Sequence, residues 1–159
     1  MIDIEVFINE EVSGMHTVEP HDINDYAVKV CSVAGCSHTS INIVLIGDTK
    51  MTDLNETYSL SGNILPDKNK RSGTTDVLSF DLSEVSSELL EGEVYVSLDR
   101  AKIQAEEYGI PFEIEIVRLV THGLLHLAGR THDTPESYRA MVDETENLIA
   151  IYWERSDCD

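Results

Sequence analysis

Residues 122 to 132 read HGLLHLAGRTH, and no other stretch limits the possible folds of this chain so tightly. His122 and His126 stand four positions apart in a segment of strongly helical character. On a helix, residues i and i+4 share a face with Cβ atoms about 5–6 Å apart. Two imidazoles so placed can hold one ion at about 2.0–2.1 Å per zinc–nitrogen bond. Gly129 follows three residues after His126, and glycine tolerates the left-handed conformation that ends a helix, so the chain can turn back there. His132 arrives three residues later, in position to supply a third ligand from a loop. Three of the six histidines fall in this one segment. A single histidine on a helix face is usually structural, but packing explains three at this spacing poorly. His122, His126 and His132 are therefore the expected metal ligands. His16, His21 and His38 lie in turn regions without partners at useful spacing and are expected to be exposed or capping residues.

Three protein ligands leave a fourth position for water or substrate, the pattern of catalytic rather than structural zinc. Three neutral imidazoles also leave the ion's double charge uncompensated, which suits it to acidify water and polarise an attacked group. Zinc is the expected ion, although the same donors suit nickel and copper. Metzincin proteases share the histidine spacing, but there a glutamate acting as general base follows the first histidine. Gly123 occupies that position here, which counts against peptide hydrolysis. A glycine inside a helix costs about 1 kcal/mol relative to alanine. Two reasons for accepting that cost stay open: close packing against a neighbour, or clearance for a bulky ligand above the metal.

The rest of the chain reads as an α+β scaffold for this segment. With 159 residues it fits one domain, residues 1–159, with one core. Strands are expected at Ile2–Asn9, Ser40–Gly47, Asp76–Phe80 and Glu93–Ser97, giving about four strands in a mixed sheet packed against helices. Helices are expected from Asp22 to Ala34, with Ile23, Tyr26, Ala27, Val30 and Val33 as the inner stripe, and from about Thr52 to Tyr58. Ser97 or Asp99 can cap a helix to Tyr108 with Ala101, Ala105 and Tyr108 inside. Pro111 opens the histidine helix, which runs to Leu127. Thr134-Pro135-Glu136 opens a last helix carrying Tyr138, Met141, Thr145, Leu148 and Tyr152 as core. The helical second half is expected to cover one face of the sheet. Residues 83–92 read as a polar excursion, and 59–75 as a loop with the densest cationic cluster, Lys68, Lys70 and Arg71.

Composition removes several classes of function. No apolar run approaches the roughly 20 residues of a membrane span. The opening MIDIEVFINEEV alternates like a strand and carries no secretory pattern, so a cytoplasmic location is expected. Cys31, Cys36 and Cys158 are too few, and odd in number, for a disulfide framework. The net charge of -19 opposes broad nucleic-acid binding, yet a metal and a few local cations can form a positive site on an acidic body.

At this point the sequence resembles the YbeY family of metal-dependent, single-strand-specific endoribonucleases. HGLLHLAG matches the family's H-G-x-L-H-L-x-G signature, with His132 as its third histidine. Leu54-Asn55 and Tyr58 resemble its L-N-x-x-Y segment, residues 75–80 (TDVLSF) its T-D-V-L-S-F block, and residues 92–97 (GEVYVS) its G-D-I-x-I-S strand. The resemblance implies hydrolysis of single-stranded RNA, namely ribosomal RNA, in its maturation and in ribosome quality control, with the ribosome or its proteins as partners and no role for membranes or DNA. It also places the TDVLSF strand near the metal. Ser59 stands where the family has an arginine thought to help catalysis, Arg130-Thr131 replaces its Tyr-Asp, and Asp81 replaces a proline. Arg71 or Arg130 is the candidate substitute for the missing cation. The alternative is a non-catalytic ribosome-assembly partner with a structural metal.

Overall fold

The computed structural model describes residues 1–15, 18–59 and 75–153. Four strands form one sheet: β1 (Ile2–Ile8), β2 (Thr39–Ile46), β3 (Val77–Asp81) and β4 (Leu90–Ser97), in the order β1-β2-β4-β3. β1 and β2 are parallel, as are β2 and β4, while β3 runs antiparallel to β4 with Leu78 opposite Tyr95. Five α-helices accompany it: α1 (Pro20–Val33), α2 (Asp48–Ser59), α3 (Leu98–Tyr108), α4 (Phe112–Leu127) and α5 (Pro135–Tyr152). This is the mixed four-stranded α+β arrangement the sequence implies. No helix among the described residues is long and apolar enough to cross a membrane.

β2 explains the layering. A strand buried on both faces loses the apolar–polar alternation and reads as a continuous apolar run. Ile41, Ile43 and Leu45 join Val94 and Val96 in the main core beneath α1 and α4. Ile46 and Val44 point the other way, into a smaller cluster with Leu78, Phe80, Tyr95 and Met51. Met51 belongs to α2, so the first half of the chain also supplies a cover. As the sequence implies, the helical second half covers one face of the sheet through α4, which shares that face with α1, while α2 covers the other.

Helix ends follow local chemistry. α1 begins at Pro20, two residues earlier than expected, because proline suits the first helical turn. α2 begins at Asp48 because carboxylates receive its leading amides. Gly47 N–H donates to Glu11 Oε1 at 2.7 Å and Asp48 N–H to Asp99 Oδ2 at 2.8 Å. β4 starts at Leu90 rather than Glu93, because main-chain pairing with Thr39 and Ser40 of β2 carries the polar residues into the ladder. α1, α3 and α4 close alike, with Gly35, Gly109 and Gly129 at positive φ and paired amides donating back into the last turn.

Behind the histidine segment, α1 and α4 are joined through a buried hydroxyl pair. Thr121 Oγ–H donates to Val117 O at 2.7 Å, and the Tyr26 hydroxyl meets Thr121 at 2.6 Å. Burial pushes the Tyr26 phenol up to about 12, so it keeps its proton and this contact across ordinary pH. Its ring packs edge-on to Trp153 at 5.6 Å.

Three residues expected inside are exposed. Val33, Tyr108 and Tyr138 are 53%, 65% and 56% exposed, while Ala101, Ala105, Met141, Thr145 and Leu148 of the same stripes are buried. All three lie in the first or last turn of their helices, beyond the neighbours that cover the middle of each stripe.

Candidate metal centre

α4 holds two of the three histidines because its apolar stripe fixes its rotation. Ile116, Val117, Val120, Leu124 and Leu125 are fully or almost fully buried against the sheet and α1. That orientation leaves His122 and His126, half-buried, one turn apart along the side of the helix. The seven-residue loop 128–134 then brings back His132. At its start Gly129 N–H donates to His126 O at 3.0 Å and Arg130 N–H to Leu125 O at 2.9 Å, a Schellman closure. At its end Thr134 and Ser137 form a reciprocal capping box at the start of α5.

The three imidazoles converge. Ring centroids lie 5.0 Å apart for His122–His126, 5.5 Å for His122–His132 and 4.8 Å for His126–His132. One nitrogen of each lies within 4.8 Å of the others. Nitrogens about 2.0–2.1 Å from a single tetrahedral ion stand roughly 3.3 Å apart, so a small rotation of the rings would close the set on one ion. The Nε2 atoms of His126 and His132 are shielded from solvent. Three soft-to-borderline nitrogen donors in a partly enclosed place fit a divalent transition metal, and the three residues expected to act together do come together.

Gly123 resolves the alternatives its sequence position left open. A Cβ there would meet Val94 Cγ1 of β4 at 2.5 Å and Ser79 Oγ of β3 at 3.1 Å. Ser79 Oγ–H also donates to Gly123 O at 3.1 Å. The glycine thus lets α4 sit close upon the sheet. Gly123→Ala should lower stability by about 1–2 kcal/mol, since overpacking of about 1–3 kcal/mol outweighs the helix-propensity gain. Thermal unfolding of the variant checks this, and a melting point at or above wild type would contradict it.

Two clefts flank the histidines. The larger, about 400 Å³, is lined by His122 and His132 together with Asp76, Arg118, Tyr108 and Tyr138. The smaller, about 210 Å³, is lined by His126 and His132 with Asp81, Arg130 and Asp133. Asp76 and Val77 of the TDVLSF block therefore do lie beside the candidate metal ligands. Asp76 Oδ2 accepts from Gln104 Nε2 at 3.2 Å.

Of the two candidate catalytic cations, Arg71 lies outside the described residues, as do Lys68 and Lys70. Arg130 reaches the smaller cleft, but its guanidinium forks onto Glu144 of α5. Nε donates to Oε1 at 3.2 Å and Nη2 to Oε2 at 3.0 Å. Nη1 donates to Ala34 O at 3.4 Å. Arg130 therefore ties the ligand-bearing loop to α5 and to the end of α1. Ser59 is the last residue of α2.

A cation that sequence reasoning passed over lines the larger cleft. Arg118 precedes His122 by one helical turn. It bridges Glu146 of α5, through Nε at 2.7 Å and Nη2 at 2.9 Å, and Glu115, through Nη1 at 2.9 Å. Glu115 is only 2% exposed, and burial raises its carboxyl above the ordinary range despite Arg118. Hydrogen bonding to Arg118 lowers that of Glu146. The signal was present as an i, i+3 Glu–Arg pair in phase with His122. Among the other polar candidates, Cys31 is buried, with its thiol pushed up to about 12, and His21 pairs with Asp25 at the surface.

Fold and site together define an α+β protein with a three-histidine candidate metal centre set between two clefts. The family model described as endoribonuclease YbeY matches residues 9–152. The endoribonuclease YbeY of Symbiobacterium thermophilum is 34% identical, over 92% of this chain and 96% of the relative. That of Persephonella marina is 30% identical, over 95% and 96%. The solution structure of TM1509 from Thermotoga maritima shares the fold, with a TM-score of 0.60 over 98% of this chain and 95% of that one, at 21% identity. The chain belongs to the YbeY family.

Proposed function

We propose that this protein is a zinc-dependent endoribonuclease that hydrolyses single-stranded RNA. The observation that carries the reading is the convergence of His122, His126 and His132 beside a cleft, in a chain of a family whose members are named endoribonucleases. An ion held there supplies positive charge and Lewis acidity to a phosphodiester and to water. The chain's own residues hold and orient. α4 fixes two imidazoles, and the doubly capped loop fixes the third. Gly123 and Ser79 keep the helix close to β3, so that Asp76 borders the same cleft. Arg71 or Arg130 would provide the cation that Ser59 does not. The Glu144 fork on Arg130 favours Arg71 for contact with phosphate and leaves Arg130 to position the loop. We place the activity in the cytoplasm, on ribosomal RNA during maturation and quality control, with the whole chain acting as one domain.

The test is cleavage of a single-stranded RNA oligomer by purified protein before chelation, after chelation, and after zinc is restored. Cleavage should be lost and regained while the helical circular-dichroism signal persists. Cleavage insensitive to chelation, or absent throughout, would refute the proposal. Loss of the helical signal on chelation would instead mark a structural metal, because such an ion contributes directly to folding.

A further inference from the structure

We propose that the larger cleft seats an unpaired nucleobase of the RNA strand, stacked on Tyr138, with Tyr108 lining the same cleft. This inference rests on the reading of the protein as a nuclease for single-stranded RNA. Tyr138 leaves α5 in its first turn, 56% exposed, with its ring edge-on to His132 at 6.5 Å. Tyr108 leaves the last turn of α3, 65% exposed, and lines the same cleft. Two large aromatic rings are thus exposed on different helices around one opening beside the candidate metal ligands. Proteins that hold single strands use such rings as platforms, because every base has a π-face.

Charge decides which part of the strand this cleft accepts. The charged side chains among its lining residues are Asp76, Glu115, Glu146 and Arg118. Arg118 already donates to both glutamates, and three carboxylates against one guanidinium oppose entry of a phosphate. A neutral, flat base with N–H donors suits carboxylate oxygens and tyrosine faces. The neighbouring phosphate would then fall toward the histidines and whatever cations the chain supplies there. Such a seat requires an unstacked base, which a duplex presents only at the expense of unpairing.

The experiment is fluorescence-anisotropy titration of the metal-loaded protein. The ligands are a labelled single-stranded 2′-O-methyl RNA oligomer and a matched oligomer with abasic positions, with strand integrity followed on gels. Wild type should bind the base-bearing oligomer more tightly than the abasic one. Tyr138→Ala should weaken the former by roughly five- to a hundred-fold, the span of one lost base–aromatic stack, and barely change the latter. Tyr138→Phe should restore binding, and Tyr108→Ala should act in the same direction as Tyr138→Ala. Metal content of Tyr138→Ala should match wild type; a fall would mean that the residue acts through His132 and would overturn the base seat. Equal wild-type binding of both oligomers, or unchanged binding by Tyr138→Ala, would also overturn it while leaving the nuclease reading intact. Wild-type protein that binds neither oligomer and cleaves no RNA would remove both.

Discussion

His126→Ala should lose its divalent metal. Elemental analysis after dialysis should show near-background content in the variant, where wild type retains its ion. Removing even an outer-shell partner of a metal ligand weakens binding about 10–100-fold, so loss of one of three direct ligands should exceed the upper figure. The fold should survive, because His126 is half-buried on α4 and alanine is the better helix former. The circular-dichroism spectrum serves as the control. His21→Ala, on the exposed face of α1, should keep its metal. Full metal content in His126→Ala would show that the three imidazoles do not act as one site.

Arg118→Ala should cause the largest loss of stability, about 3 kcal/mol. Breaking a buried pair costs about 3–5 kcal/mol because the partner is left uncompensated, and the lower figure applies here because Arg118 keeps 28% of its side chain exposed. The loss corresponds to a fall of roughly 6–12 °C in melting temperature for a chain of this size. Its pH dependence identifies the cause. Without Arg118, burial would raise the Glu115 carboxyl still further above its ordinary value of 4.5. A carboxyl whose folded pKa is raised destabilises the protein once pH exceeds the unfolded value, and the penalty grows until the folded pKa is passed. The deficit should therefore be small near pH 4.5 and increase toward neutrality. Glu146, whose carboxyl Arg118 lowers, adds a contribution that wild type keeps above about pH 4.5 and loses only below it, so the change across this range reports Glu115. Melting curves of both proteins across this range check the sign, and a deficit that is constant with pH would remove Glu115 as its source. Glu115→Gln should cost far less, because an amide oxygen can still accept from Arg118 without a buried charge.

The convergence of the three histidines was legible in the sequence because its information is local. Spacing on one helix, a glycine that ends it and a third histidine within reach need no knowledge of distant residues. The same holds for Gly129 itself, which stands at positive φ where the helix ends. What was not legible depends on where neighbouring elements stop. The stripe through Tyr138, Met141, Thr145 and Leu148 points one way, yet its first member extends past the helix that covers the others. Periodicity gives the direction of a face and says nothing of the length of its partner. Tyr108 and Val33 were misread for the same reason. Arg118 was missed because its second partner, Glu146, comes from α5, 28 positions along the chain. Gly123 showed the opposite limit: sequence named the position, but only Val94 across the interface gave its cause.

The closures on either side of residues 130–133 bear on affinity. Fixing one residue's backbone costs about 1–2 kcal/mol in conformational entropy. The Schellman closure at Gly129, the Arg130–Glu144 fork and the Thr134–Ser137 box meet that cost from interactions within the protein. Ordering the short tether of His132 is then a matter of folding rather than of binding, so the third imidazole meets an incoming ion as a preorganised donor and the affinity of the site is not reduced by loop closure.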